Sequence, residues 1–175
     1  MNVPLTLGDR LYTGRSGRAE LQIHGGAVVR LSSETDLAAL NLTDDTKQLS
    51  LTSGVAAFEV RRLAEDEVFE VDTPNAAITL EQAGDYRIDV DPDGNTRVGI
   101  RRGRATVAAG GGQVPLAAGD EMAIDGIDDP RYDVYGLSGS DAFDRWVGDR
   151  RGRYRRSISS QYVSADVVGV ADLDS

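Results

Sequence analysis

The chain has 175 residues, of which 40% are hydrophobic and 27% charged, enough for one ordinary domain with a real core and unlike a disordered polypeptide. It has no cysteine, which excludes disulfides, thiolate metal sites and cysteine nucleophiles, and a single histidine, His24, which excludes a multi-histidine metal centre or a histidine relay. Its net charge of −10 argues against nucleic-acid binding, and all of it lies in residues 1–140, where 13 Lys/Arg stand against 23 Asp/Glu.

The chain opens MNVPLTLGD, with neither the basic segment nor the apolar stretch of a signal peptide, and no apolar run approaches the ~20 residues of a transmembrane helix. Strand patterns then follow one another. Ala19–Ile23 alternates apolar and polar residues, and the turn signal HGG separates it from Ala27–Leu31; His24 in QIHGG is expected to be an ordinary strand-end residue. Leu40, Leu42, Leu49 and Leu51 flank TDDTKQ, a polar connection suited to a hairpin. Val55–Arg61 and Val68–Val71 are joined by the acidic LAEDE. Tyr86–Val90 and Arg97–Arg101 flank DPDGNT, and Ala105–Ala108, Val114–Leu116 and Glu121–Ile124 complete the set. About a dozen short strands with glycine-rich turns predict an all-β fold, an antiparallel β-sandwich or a jelly-roll-like stack of β-coils over residues 1–125.

Beyond Asp125 the texture changes. GIDDPRYDVYGLSGS is rich in turn formers, so residues 126–139 are expected to form a linker over the surface. Residues 140–175 begin with a helical pattern. Ser140 or Asp141 can cap it, and Phe143, Trp146, Arg150, Tyr154 and Ile158 recur at spacings of three or four. Gly148 and Gly152 each cost such a helix about 1 kcal/mol relative to alanine, so it needs docking. Gln161–Ser175 carries alternating valines and looks cut short.

Two motifs could carry chemistry. DVDPDG places Asp89, Asp91, Asp93 and Gly94 as in the first half of a calcium loop, but the bidentate glutamate such a loop needs is replaced by Ile100. Pro92 and Asp93-Gly94 make a turn unaided, so a hairpin is expected and no metal. AAGGGQ lacks the lysine and the following helix of a phosphate loop and is expected to be a hairpin tip. The serines have no base, and no carboxylate pair stands out. No catalytic residue, cofactor or enzymatic activity is therefore expected; an enzyme would need a cleft holding a carboxylate of raised pKa.

The tail is the one candidate recognition surface. Residues 143–158 carry six arginines against two aspartates, with Trp146 and Tyr154 among them. Trp146, Arg150, Arg151, Arg153 and Tyr154 make the composition of a binding hot spot or an anion site. The plainer and preferred reading is that the apolar stripe packs on the β-domain while the arginines pair with its carboxylates or face water.

GDRLYTGRSGRAELQI, the central FEVDTP, GDYRIDVDPDGNTRVGIRRGRATV and LAAGDEMAI together resemble the FecR domain, over roughly residues 5–125. Thr73-Pro74 and the hairpin from Gly84 to Val107 match best. The resemblance implies an all-β module outside the inner membrane of Gram-negative bacteria, periplasmic or secreted, that works by protein–protein contact rather than catalysis. The best-known members are membrane-anchored sigma-factor regulators that relay a signal from an outer-membrane transporter. The tail resembles the segment that follows this domain in a subset of secreted or envelope proteins, which continue into a Trp/Tyr/Pro-rich region. The helical sigma-binding and transporter-binding domains of the regulators have no counterpart here, so iron-transport signalling is not carried over. The expected function is contact with another envelope protein; the alternative is binding of an anionic envelope glycan or lipid headgroup through the Arg/aromatic helix.

Overall fold

In a computed structural model, which describes residues 6–156, thirteen β-strands precede one α-helix. The strands are β1 (Arg10–Tyr12), β2 (Ala19–Ile23), β3 (Ala27–Leu31), β4 (Asp36–Leu42), β5 (Thr46–Val60), β6 (Val68–Thr73), β7 (Ala76–Leu80), β8 (Gly84–Val90), β9 (Thr96–Arg102), β10 (Arg104–Ala109), β11 (Gly112–Ala117), β12 (Asp120–Asp125) and β13 (Arg131–Gly136); the helix is α1 (Ala142–Arg156). The expected all-β fold with a C-terminal helix is what the chain forms. The expected helical stripe extends to Ile158, and that residue and Gln161–Ser175 lie outside the described residues.

The strands form two leaves that share β5. The first runs β1-β4-β5-β6-β7-β10-β11 and the second β2-β3-β5-β8-β9-β12-β13; every pair is antiparallel except β5–β6. The 15-residue β5 crosses from one leaf to the other at Gly54. Thr46–Ser53 pairs with β4 and β6, and the remainder pairs with β3 and β8. Its inward-facing set changes parity at the crossing, from Lys47, Leu49 and Leu51 to Ala56, Phe58 and Val60. Both leaves bury their inner faces in one core, where the Phe58 ring of the second leaf meets Phe69 of the first edge-on at 6.2 Å.

The Thr73-Pro74-Asn75 turn between β6 and β7 ties the leaves together. Asn75 Nδ2 donates to the carbonyls of Ile124 and Gly126, both at 3.0 Å, and the Thr96 hydroxyl of β9 donates to Thr73 Oγ1 at 2.9 Å. The Thr-Pro element is thus a cross-leaf clamp: proline presets the turn, and its flanking polar side chains bond across to β9 and to the end of β12.

One expectation needs correction. The presumed linker 126–139 contains β13, which pairs along its whole length with β12. It was hidden because β13 is exposed on both faces and so carries no core-facing pattern. Ala76–Leu80, to which the sequence pattern assigns no element, is a strand, β7; its Ile78 and Leu80 are buried, but flanking alanines and its five-residue length make the alternation weak.

Candidate partner-binding face

The outer face of the second leaf is where the sequence-selected residues converge. An antiparallel sheet with one solvated face normally carries polar side chains there. Here Glu20, Arg30, Ala57, Glu59, Asp85, Arg87 and Arg101 project from β2, β3, β5, β8 and β9, and α1 lies across them. The helix starts with a reciprocal cap. Asp141 Oδ1 accepts the amides of Phe143 (2.8 Å) and Asp144 (2.9 Å), and Asp144 Oδ2 accepts the Asp141 amide at 3.0 Å. Asp144 is also gripped by Arg87 at 2.9 Å and Arg101 at 2.8 Å, which fixes the N-terminus of the helix to β8 and β9.

Little apolar surface holds the helix down. Phe143 and Val147 are buried against Ala57 and Val55, and Trp146 stacks on Phe143 at 5.7 Å. Charge supplies the rest. Arg150 donates to Glu20 at 2.8 Å, and Arg151 forks onto Asp85 while its Nε reaches Glu59 at 3.3 Å. Beneath them Arg30, whose side chain is 2% exposed, donates to Glu20 at 2.7 Å and Glu59 at 2.8 Å. The Arg61 guanidinium lies 3.9 Å from the Tyr154 ring centre, and that of Arg18 lies 5.1 Å from Trp146. Four of the five sequence-selected residues, Trp146, Arg150, Arg151 and Tyr154, thus contact the chain's own β-domain or helix, and Arg153 is exposed. Missing from the sequence-selected set are Arg30, Glu20, Glu59 and Asp85, the buried half of the same network. An arginine between valine and leucine in a strand otherwise wholly buried, β3, was the available signal.

The pKa directions follow from this packing. Burial pushes the Glu20 and Glu59 carboxyls up, but hydrogen bonds and charge from Arg150 and Arg30, and from Arg30, Arg151 and Arg61 respectively, outweigh it and hold both below the usual range. A depressed folded pKa contributes stability that is complete above the unfolded value, about 4.3 for glutamate, and is lost as pH falls through the folded values. Acidification from pH 5 to about 3 is therefore expected to loosen α1 and shift the emission of Trp146, the sole tryptophan, to the red before far-UV circular dichroism reports loss of the sheets. Coincident transitions would show that the helix has no separate docking equilibrium. Asp89 runs oppositely: burial raises its pKa, so its protonation relieves the fold rather than weakening it.

Asp89 also lines a cleft between β9, β12 and the start of α1, as an enzymatic carboxylate would, but both its oxygens accept from Arg87, at 2.8 and 2.9 Å. The DVDPDG segment is the β8–β9 turn. Asp91 accepts the amides of Asp93 and Asn95, both at 2.9 Å, and Gly94 takes φ 81°; among the described residues no group of three or more carboxylate or imidazole side chains is placed to hold a metal ion. His24 is exposed at the β2–β3 turn, 3.7 Å from Asp44. Among the described residues no helix is long and apolar enough to cross a membrane.

The family model described as FecR protein matches residues 9–116, more than half of the chain. Two crystal structures of a candidate anti-sigma factor from Parabacteroides distasonis share the fold. One, at 2.50 Å resolution, is 18% identical with a TM-score of 0.66, covering 75% of this chain and 61% of that one. The other, at 1.65 Å, is 16% identical with a TM-score of 0.68, covering 79% of this chain and 64% of that one. The chain thus spans less than two thirds of the length of either. No curated protein matches it at a significant level.

Proposed function

The chain belongs to the FecR protein family, and from that premise we propose that it is a regulatory module that acts outside the cytoplasmic membrane by contact with another envelope protein, without catalysis. The family match carries the reading, and the description of the fold relatives as a candidate anti-sigma factor points the same way. The geometry supports contact over turnover: the best candidate carboxylate is held by both oxygens on Arg87, and the charged residues of the outer face neutralise one another. The alternative, an anionic glycan or lipid headgroup on the Arg/aromatic helix, is supported by the exposed Arg153 and by Arg18 over Trp146, but Arg150 and Arg151 already serve carboxylates of the same chain.

The test is retention of envelope proteins on the immobilised chain at low and high salt, beside direct binding of anionic vesicles. A protein partner retained at high salt, with no vesicle binding, is the expected result. Vesicle binding that vanishes with salt and depends on Arg153 would move the anionic-ligand reading ahead.

A further inference from the structure

Among the described residues the two leaves leave four edge strands, and their chemistry differs. β1 has three residues, too short to template a partner. On β11, Pro115 blunts the edge. Glu81 donates to the Arg104 carbonyl, so by alternation Ala105, Val107 and Ala109 bond to β11, and the position of Pro115 that lacks an amide hydrogen faces outward. β2 is crowded by α1, whose Arg150 holds Glu20 and whose Trp146 lies under Arg18. β13 has none of these protections: it has six residues, no proline, no lysine and no bulge against β12.

Its hydrogen-bonding register can be derived. Leu137 donates to the Gly119 carbonyl at 2.7 Å, which makes that opposed pair hydrogen-bonded. Strict alternation then commits Tyr135, Asp133 and Arg131 to β12 and turns the amides and carbonyls of Tyr132, Val134 and Gly136 to the open edge. The side chains sort by face as well. Tyr132 and Val134 stand opposite the buried Ile124 and Met122 and continue the core face of the leaf, where they are 41% and 46% exposed. Asp133 and Tyr135 stand on the outer face. The surroundings are acidic: residues 120–136 hold Asp120, Glu121, Asp125, Asp128, Asp129 and Asp133 against Arg131 alone.

We propose that β13 is a docking edge that receives an extended segment of another protein, with aliphatic or aromatic residues on the core face alternating with Lys/Arg on the outer face. Backbone pairing with Tyr132, Val134 and Gly136 would supply affinity, and the alternate side chains would supply specificity. Apolar residues would fall opposite Tyr132 and Val134, and cations opposite Asp133 and over Tyr135. A second copy of this chain fits less well, because it would bring a net charge of −10 against the same acidic rim. The inference rests on the contact reading above and names the surface and the chemistry of its partner.

The probe is a short fluorescein-labelled peptide alternating Lys with Val and Tyr, titrated into the full chain by anisotropy. Its controls are a Glu-for-Lys version and a version of the same composition with the lysines in one block. The alternating basic peptide is expected to bind at least ~10-fold tighter than either control, a difference of the size opposite-charge and backbone pairing can supply. Val134→Pro removes only an outward amide, leaves the β12 ladder whole, and is expected to reduce binding ~10-fold. Independently of any variant, hydrogen exchange at Tyr132, Val134 and Gly136 is expected to slow on peptide addition while that of Asp133 and Tyr135 stays slow throughout. Equal binding by the blocked peptide, unchanged exchange at those three amides, or concentration-dependent dimers that Val134→Pro dissolves would each overturn the proposal. None of these bears on retention of an envelope protein through another face, so the two readings fail separately.

Discussion

Arg30→Ala is expected to destabilise the protein by about 3–5 kcal/mol, the usual cost of removing one partner from a buried ion pair. In a chain of this size that is a fall in Tm of roughly 6–20 °C. Arg30 sits under the helix between Glu20 and Glu59. Without it two carboxylates lie close together in a site largely closed to water, with only Arg150, Arg151 and Arg61 at their margins. A size-conserving substitution separates this from lost packing. Arg30→Met keeps most of the volume and none of the charge, and is expected to cost nearly as much. Adding Glu59→Gln to Arg30→Met should then recover about 1–3 kcal/mol, the coupling expected of directly paired residues. Urea midpoints for the four members of the cycle measure it. Additive losses, or an Arg30→Ala midpoint within about 1 kcal/mol of the parent, would mean that water reaches this network and that α1 stands off the sheet in solution.

This network also explains which parts of the site could be read from the chain. The helix advertised itself through its cap, its aromatic spacing and its arginines, because helical periodicity is local. Its dock did not, since Glu20, Glu59 and Asp85 come from three strands that only topology brings together. Each of them occupies a polar position in an alternating strand, where a solvated residue would look the same. The fold was legible in the same uneven way. Strands with one buried face, such as β8 with Tyr86, Ile88 and Val90, show their period directly. β13 has no buried face and looked like a linker, and β5 appeared as two unrelated pieces because its inward set changes parity midway. Alternation reports burial, so it fails wherever a strand is bare or changes leaf.

That change of leaf rests on Gly54, and Gly54→Ala is expected to be among the most damaging single substitutions in the chain. At φ 88° the glycine adopts a backbone that costs an L-residue about 1–2 kcal/mol. A Cβ there would also lie 2.4 Å from both Cα and Oγ1 of Thr35 and 2.7 Å from the Glu34 carbonyl oxygen. Thr35 cannot retreat cheaply. Its hydroxyl donates to the Val55 carbonyl and accepts the Val55 amide, and its own amide donates to Thr13, so the corner of β5 is bolted to the β3–β4 connection. Overpacking of this kind costs about 1–3 kcal/mol beyond the dihedral term. Gly119→Ala separates the two contributions: at φ 99° it bears a similar backbone penalty, but its Cβ meets nothing within 4 Å. The expected order of stability is parent, then Gly119→Ala, then Gly54→Ala, with the last gap as large as the first or larger. If the two variants melt together, the corner yields freely and only the dihedral matters. If the expected order holds, the close approach of β5 to Thr35 is what allows one strand to serve both leaves. In the second leaf that strand places Ala57 and Glu59 under the helix. The surface on which α1 docks would then depend on a single missing methyl group at the crossing.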